Sequence, residues 1–422
     1  MVFMPSTYLP PHLATPQFTE CTAQDQETFS AAMFKGFHEE PSQEEKDVLG
    51  AVWDADRHFG FTVDDRWIAT AGSFARTMTV PGGSVPVSAF TAVTVAAPYR
   101  RRGLLTRMMQ HELDTAYADR GEPISILWAS EAPIYGRFGF APAVMRARLL
   151  AETPAMGFLP QVDFGDGSVD EVSHETFSTA AKAIRTRLLA DEPGALNRDD
   201  DWWAWTLFDP PAWRKGATQY KWILHYNRSG TPDGYAYFRV RGKNDVTGPQ
   251  SEVQIHEVEA ATPQGYASLM RYLMQIDLTR SFKMRNARPD EPLRHLLSNP
   301  RALRTEISDG IYVRIVDVAA ALVARKYLSD VDVVLEIEDV QVPSNNGRFR
   351  LEAGTDGAKV TKARRKPDLS LSDLELGAIY LGGVPLSDLH RAGRVIEHKK
   401  GAAATVSAAF GWPRAPWCVD NF

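Results

Sequence analysis

The sequence is poor in cysteine. Its 422 residues hold two, Cys21 and Cys418, almost the whole chain apart. No pair has metal-ligand spacing, so the expectation is two free thiols in a reducing compartment and no metal site. Long apolar runs are missing as well. No segment reaches about 18 uninterrupted apolar residues, and no membrane span is predicted. The N-terminus, MVFMPSTYLPPHLATPQF, lacks the basic start and apolar stretch of a signal peptide. The expected location is the cytoplasm. A basic surplus is absent too: the net charge is −6. That argues against a nucleic-acid partner and suits a cationic substrate, because acidic clefts concentrate cations. The phosphate loops GxxxxGK and GxGxxG do not occur.

What is present is ordinary globular composition, 44% hydrophobic and 24% charged. The length predicts about three domains. Residues 1–20 read as a loose, proline-rich arm. Asp25–Val52 suits helices, with Phe29, Met33, Phe34 and Phe37 at helical spacing. From Phe59 the period becomes two. Turn signals at Asp64-Asp65 and Pro81-Gly82-Gly83-Ser84 separate strands that lead into Val85–Val95. An amphipathic helix follows, with Leu104, Leu105, Met108, Met109, Leu113 and Ala116 on its stripe and Arg107, Glu112 and Asp119 elsewhere. Ile124–Trp128 reads as a buried strand. Ser130 is placed to cap a short helix that ends at Gly139. In the middle region five of the ten tryptophans (Trp202, Trp203, Trp205, Trp213, Trp222) fall in one window and read as core or contact residues. Strands at Gly234–Val240 and Val253–Val258 and a helix at Pro263–Leu278 echo the first region's order. Further on, strands at Ile311–Val316, Val333–Ile337 and through Phe349–Val360 and helices at Val318–Tyr327, Asp373–Tyr380 and Pro385–Ala392 complete an α+β reading.

The chemistry concentrates in two segments. In Val93–Leu105 a strand stops at Pro98, three arginines follow (Arg100, Arg101, Arg102), and Gly103 opens the amphipathic helix. A helix N-terminus offers unpaired N–H groups and partial positive charge, and glycine admits a close ligand, so a pyrophosphate would fit. The second segment runs from Trp128-Ala129-Ser130-Glu131 through Ile134-Tyr135-Gly136-Arg137 to Phe138-Gly139-Phe140.

The first segment resembles motif A of the GNAT superfamily of N-acetyltransferases: Gln or Arg, two residues, Gly, one residue, then Gly or Ala. Arg100 and Gly103 match, and Leu105 stands where Gly or Ala is usual. The second segment resembles the superfamily's last helix and strand. Together, with Leu105 at its place, they are similar to the bacterial enhanced intracellular survival (Eis) acetyltransferases, and chain length and ending agree.

That resemblance implies tandem GNAT-type domains, each a mixed sheet with flanking helices, and a C-terminal α+β domain similar to sterol carrier proteins. The expected division is a catalytic domain over 1–148, a degenerate GNAT-like domain over 149–304 and the sterol-carrier-like domain over 305–422, where Pro367–Gly383 looks like that type. It implies acetylation of primary amines, aminoglycosides among them, with acetyl-CoA as co-substrate, by a homohexamer. Tyr135 matches the family's general acid. The family's base is the carboxylate of the last residue, here Phe422, reached through an aromatic, proline-stiffened tail, Phe410–Cys418. For acetyl-CoA the expected contacts are Val93, Thr94 and Val95 along the pantetheine, the N–H groups of Arg101, Arg102, Gly103, Leu104, Leu105 and Thr106 at the pyrophosphate, and Ser130 and Glu131 on the far side. Phe34, Phe37, Trp53 and Phe90 are candidates for the amine pocket, with Glu39, Glu40, Asp54 and Asp56 nearby in sequence. Two other readings stand beside this one: a protein-lysine acetyltransferase, and a non-catalytic lipid-binding or scaffold protein.

Overall fold

The computed structural model describes residues 15–422. The arm read over residues 1–20 falls mostly outside that range, but its end is not loose. Gln17–Glu20 is a strand, β1, whose Phe18 meets Phe61 edge-on at 5.6 Å. Two helices follow, α1 (Gln26–Phe37) and α2 (Gln43–Ala51). Of the apolar stripe on α1 only Phe29 is fully buried, and Phe37 is 41% exposed. The helix stops at His38, which takes a left-handed conformation.

The strands β2 (His58–Val63), β3 (Arg66–Val80) and β4 (Gly83–Val95) form an antiparallel run. The hairpin from β2 to β3 turns on Asp64 and Asp65, both at positive φ (48° and 58°), as a two-residue hairpin loop requires. Next come α3 (Leu104–Ala118), β5 (Ile124–Trp128), the single turn α4 (Ala132–Tyr135) and β6 (Ala141–Pro142). α3 buries Leu104, Met108, Met109, Leu113 and Ala116 as its stripe demands. Glu112, read as lying off that stripe, is also fully buried, and its carboxylate accepts from Ser88 and Arg120. Polar partners from the sheet and from the chain just after α3 let the buried arc extend past the apolar one.

The second sheet is built from β7 (Met145–Glu152), β8 (Ser168–Glu171), β9 (Lys221–Tyr226), β10 (Pro232–Arg241), β13 (Ser251–Ala260), β14 (Thr279–Ala287) and β15 (Arg304–Asp309), with a small hairpin, β11 (Asn244–Asp245) and β12 (Gly248–Pro249), set apart. Its helices are α5 (His174–Leu188), α6 (Asp200–Leu207), α7 (Pro211–Arg214), α8 (Pro263–Met274) and α9 (Leu293–Leu296). β13 and β14 are parallel with α8 between them, the layout of β4, α3 and β5 in the first sheet. α8 ends at Met274, one turn before the predicted Leu278. The tryptophan window divides. Trp202 and Trp203 are buried, and Trp202 lies against Phe74 and Arg76 of the first sheet. Trp222 packs on Phe177, Tyr220 and Tyr237, whereas Trp213 is exposed.

The chain then returns to the first sheet. β16 (Ile311–Ile315) inserts between β5 and β6, antiparallel to both. After it come α10 (Val318–Ala324), β17 (Val331–Glu338), β18 (Gly347–Gly354), β19 (Gly357–Lys362), β20 (Leu369–Ser372), α11 (Asp373–Ile379), α12 (Leu386–Arg391), β21 (Ile396–Glu397) and α13 (Ala402–Phe410). These strands make a five-stranded sheet. One continuous core joins it to the first sheet, from Val87, Ala89 and Ile126 through Val313 and Ile315 to Leu335, Leu376 and Val406. The third region is thereby packed directly on the first.

The seam carries a buried charge. Arg314 on β16 pairs with Asp339 at 2.7 Å and Asp373 at 3.0 Å. Gly139 (φ +84°) lies against this pair, where a Cβ would collide with the Asp373 carboxylate and stand 2.7 Å from Arg314 Nε. Gly139→Ala combines a left-handed backbone with overpacking, and is expected to destabilise the protein by about 2–5 kcal/mol. A urea unfolding midpoint unchanged by this substitution would show that the seam yields freely.

Candidate active site

The site begins where β4 and β5 part. Their parallel ladder covers only Val87–Ala89 against Ile124–Ile126, yet β4 runs on to Val95 beside β3. A bulge bends it away. The register shifts between Thr70 and Gly72, and Ala92 takes φ +58°. The Thr70 hydroxyl holds the bulge, donating to the Ala92 carbonyl at 2.7 Å and meeting the Thr94 hydroxyl at 2.7 Å. Val93, Thr94 and Val95 are half-buried here, paired with β3 on one edge only.

The chain then turns toward α3. Arg101 (φ +61°) and Gly103 (φ +79°) bracket Arg102 in left-handed conformations, the kind of alternation that gathers backbone N–H groups into an anion-binding concavity. Gly103 is the helix cap and has no side-chain bond, so the N–H groups of Leu104, Leu105 and Thr106 have no partner within the helix. A Cβ at Gly103 would meet nothing within 4 Å. The Arg102 Nη1 is buried without a partner among the described residues. An orphaned cationic donor beside a bare helix N-terminus fits a pyrophosphate, and the free edge of β4 fits an extended amide-bearing arm. Leu104 is buried and Leu105 half-buried against the core that contains Tyr135, while Arg101 and Thr106 are exposed.

Tyr135 closes α4 and is buried among Phe138, Phe140, Phe90 and Leu127. Burial pushes its phenol up from the ordinary value, the Ser130 hydroxyl works against that, and the Glu131 charge adds to it. The phenol therefore keeps its proton well past neutral pH. Ser130 does not cap the helix: the cap is Glu131, without a side-chain bond. The C-terminal tail arrives at the same end of β5. The Trp128 indole N–H donates to the Asp420 carbonyl at 2.9 Å, and Phe422, half-buried, packs on the core shared by the first sheet and the third region.

The candidate amine residues are not gathered into one wall. Phe90 belongs to the core of Tyr135. Trp53 instead stacks on His58 at 3.8 Å and meets Phe29 edge-on. Phe34 is half-buried on α1 and Phe37 exposed. Glu39, Glu40, Asp54 and Asp56 are all exposed. Among the described residues no group of three His, Cys, Asp or Glu side chains is placed to hold a metal, and no helix is long and apolar enough to cross a membrane. Cys21 and Cys418 are both buried and free, and burial pushes each thiol up to about 12.

His58 is the residue that sequence reading missed. It is buried between Trp53, Phe29 and Phe74, with Nδ1 2.6 Å from the Asp54 carbonyl. The one available sign was Gly72 within a strand: a Cβ there would collide with the His58 ring. Burial, reinforced by Arg57 and Arg120 and opposed by Asp54, lowers its pKa from 6.5 to about 4. An unfolded chain takes up this proton near pH 6.5 and the folded one only near 4. Stability is therefore lost as the pH falls through that window, by about 3 kcal/mol from this group. Urea midpoints at pH 7 and 4.5 check it: His58→Gln should reduce the acid loss, and an identical loss in both proteins would exclude His58 as its source.

Three family models match successive stretches of the chain. Residues 17–143 match the family model "Acetyltransferase (GNAT) domain", 194–315 match a second model of that description, and 318–419 match "Sterol carrier protein domain". An uncharacterized N-acetyltransferase of Streptomyces avermitilis is 38% identical over 90% of this chain and 93% of its own. The N-acetyltransferase Eis of Mycobacterium tuberculosis is 33% identical over 79% of this chain and 80% of its own. Among solved structures, Eis1 from Mycobacterium abscessus superposes with a TM-score of 0.82 at 28% identity, covering 97% of this chain and 100% of that one.

Proposed function

The chain belongs to the Eis-type family of GNAT N-acetyltransferases, and from that premise we propose that it acetylates primary amines of polycationic small molecules such as aminoglycosides. The observations that support this reading are three features around the parted end of β4 and β5: the bare N-terminus of α3, buried Tyr135, and the C-terminal tail, whose Asp420 carbonyl accepts from the Trp128 indole. Acetyl-CoA, when bound, supplies the acetyl thioester. Val93, Thr94 and Val95 offer it a strand edge, and Arg101 to Thr106 an anion cradle, with Ser130 and Glu131 on the far side. Tyr135 Oη holds a proton for the departing sulfur, being protonated at neutral pH. The Phe422 carboxylate orients the incoming ammonium and accepts its proton.

A net charge of −6 and the exposed Glu39, Glu40, Asp54 and Asp56 favour a polycation over a neutral amine. Phe90 is the candidate amine-lining residue that sits in the Tyr135 core, and Phe34, Phe37 and Trp53 are proposed as separate amine contacts, the first two on α1 and the third after α2. The proposed domains are 1–148, catalytic; 149–304, degenerate; and 305–422, which lends β15 to the second sheet and β16 to the first before it delivers the terminus. The assembly is proposed to be a cytoplasmic homohexamer.

The test is thiol release from acetyl-CoA with neamine, with lysine-containing peptides run in parallel. Turnover with neamine and little with peptides is expected. Faster turnover with peptides would replace the acceptor by protein lysine. No release with any amine would favour the lipid-binding or scaffold reading.

A further inference from the structure

The second GNAT-type domain has a cleft-forming strand pair of its own, and that cleft is spoken for. The parallel ladder between β13 and β14 ends at Ile255 and Met284. Beyond it the polar side chains Glu257, Asn286 and Arg288 all serve the C-terminal tail or its anchors. Asn286 Nδ2 donates to the Cys418 carbonyl at 3.0 Å, and the Arg288 guanidinium lies 4.0 Å from the Trp417 ring centre. Glu257 accepts from Arg198 at 3.0 Å and from Arg185 at 3.3 Å. The same two arginines hold the tail: Arg198 Nε donates to Asp420 Oδ1 at 2.6 Å and Arg185 Nη2 to Asp420 Oδ2 at 3.0 Å. All four of these charged side chains are at most 4% exposed.

We infer that the second GNAT-type domain is the docking site of the C-terminal tail, and that Asp420 is a positioning residue for the terminal carboxylate. The positioning half of this inference rests on the proposed role of Phe422. Three arguments support it. First, the tail supplies one of the two carboxylates that these arginines share: Arg185 and Arg198 face Glu257 and Asp420, and without Asp420 one carboxylate remains for these two buried guanidiniums. Burial alone would raise the Asp420 pKa, but Arg198, Arg185 and Arg76 outweigh it and hold the carboxylate ionised. Second, the tail is tied along its length. Ala415 N–H donates to Asp290 at 2.9 Å, Trp417 N–H to the Pro193 carbonyl at 2.8 Å, and the Asp420 carbonyl accepts from Trp128 at 2.9 Å. Third, only Asn421 and Phe422 follow the anchor, so the Phe422 Cα lies within about 7 Å of that of Asp420. Fixing Asp420 fixes where the carboxylate can go.

Asp420→Asn in the full chain tests both halves. Two quantities are measured: the rate at which carboxypeptidase Y releases Phe422 from the native protein, and kcat against KM for acetyl-CoA with neamine as acceptor. Release is expected to accelerate about tenfold or more, since charge-assisted hydrogen bonds close the tail and digestion follows the open population. kcat is expected to fall about tenfold or more while the KM for acetyl-CoA stays within about twofold. Unchanged release would overturn the docking site. Faster release with unchanged kcat would overturn the positioning role while the docking site stands; the terminal-carboxylate reading is decided separately, by whether residues appended after Phe422 abolish turnover. Should Asp420→Asn fail to fold, the charge-balanced pair Asp420→Asn and Arg198→Gln removes one charge of each sign and is put through the same two measurements.

Discussion

Tyr135→Phe is expected to lower kcat for amine acetylation by about 10²–10³, with the KM for acetyl-CoA within about threefold of the parent. The substitution removes one oxygen from a buried ring. The ring's packing against Phe138 and Phe140 survives, so the fold loses no more than about 1 kcal/mol. What disappears is the proton at Tyr135 Oη. Without it the sulfur departs as a free thiolate in a poorly solvated pocket. The pH dependence carries a second signature. Because burial raises the phenol's pKa, the active, protonated form persists above the ordinary tyrosine value of 10. The parent should then show no loss of kcat from this group between pH 7 and 9, and a decline only above about 10. Tyr135→Phe should lack that decline. Activity in the variant within twofold of the parent would remove Tyr135 from the mechanism.

Much of this geometry was readable from the chain because it is local. The hairpin at Asp64-Asp65 and the turn at Pro81-Gly82 are set by residues that tolerate or require special backbone angles. The stripe on α3 places Met108, Met109 and Leu113 in the core with no help from distant sequence. The cap at Gly103 is likewise a property of a few neighbouring residues.

What the chain concealed is held by partners far apart in sequence. β14 reads as Thr279-Arg280-Ser281-Phe282-Lys283-Met284-Arg285-Asn286-Ala287, too polar to announce a strand. It is one because Phe282, Met284 and Ala287 point into the second core while the charged residues between them mostly face outward. Ile311–Val316 lies past the expected boundary at 305, yet β16 closes the first sheet, since its ladder partners lie on β5. Glu112 and His58 are buried polar residues whose partners come from other elements. No periodicity reports that. The same holds for Arg185, Arg198, Glu257 and Asp420, which span 236 positions from first to last and meet at one point.

Appending two glycines after Phe422 is expected to reduce kcat about 100-fold while moving the unfolding free energy by less than about 0.5 kcal/mol. The two readouts separate because the addition touches no packed side chain. Trp417 and Cys418 stay buried, Asp420 keeps both arginines, and the ring of Phe422 keeps its place on the shared core. Only the carboxylate moves, by up to about 7 Å along the added residues, and an amide carbonyl takes its place. That carbonyl accepts a hydrogen bond but cannot take a proton from an ammonium at neutral pH, whereas an α-carboxylate is ionised above about pH 4. Deleting Phe422 offers the complementary test. It leaves a terminal carboxylate on Asn421, about 3.5 Å short of its working position and without the aromatic anchor, and activity should again fall. Full activity in the extended protein would mean that some internal group takes the amine's proton, and the search would pass to the carboxylates beside the site, beginning with exposed Glu131.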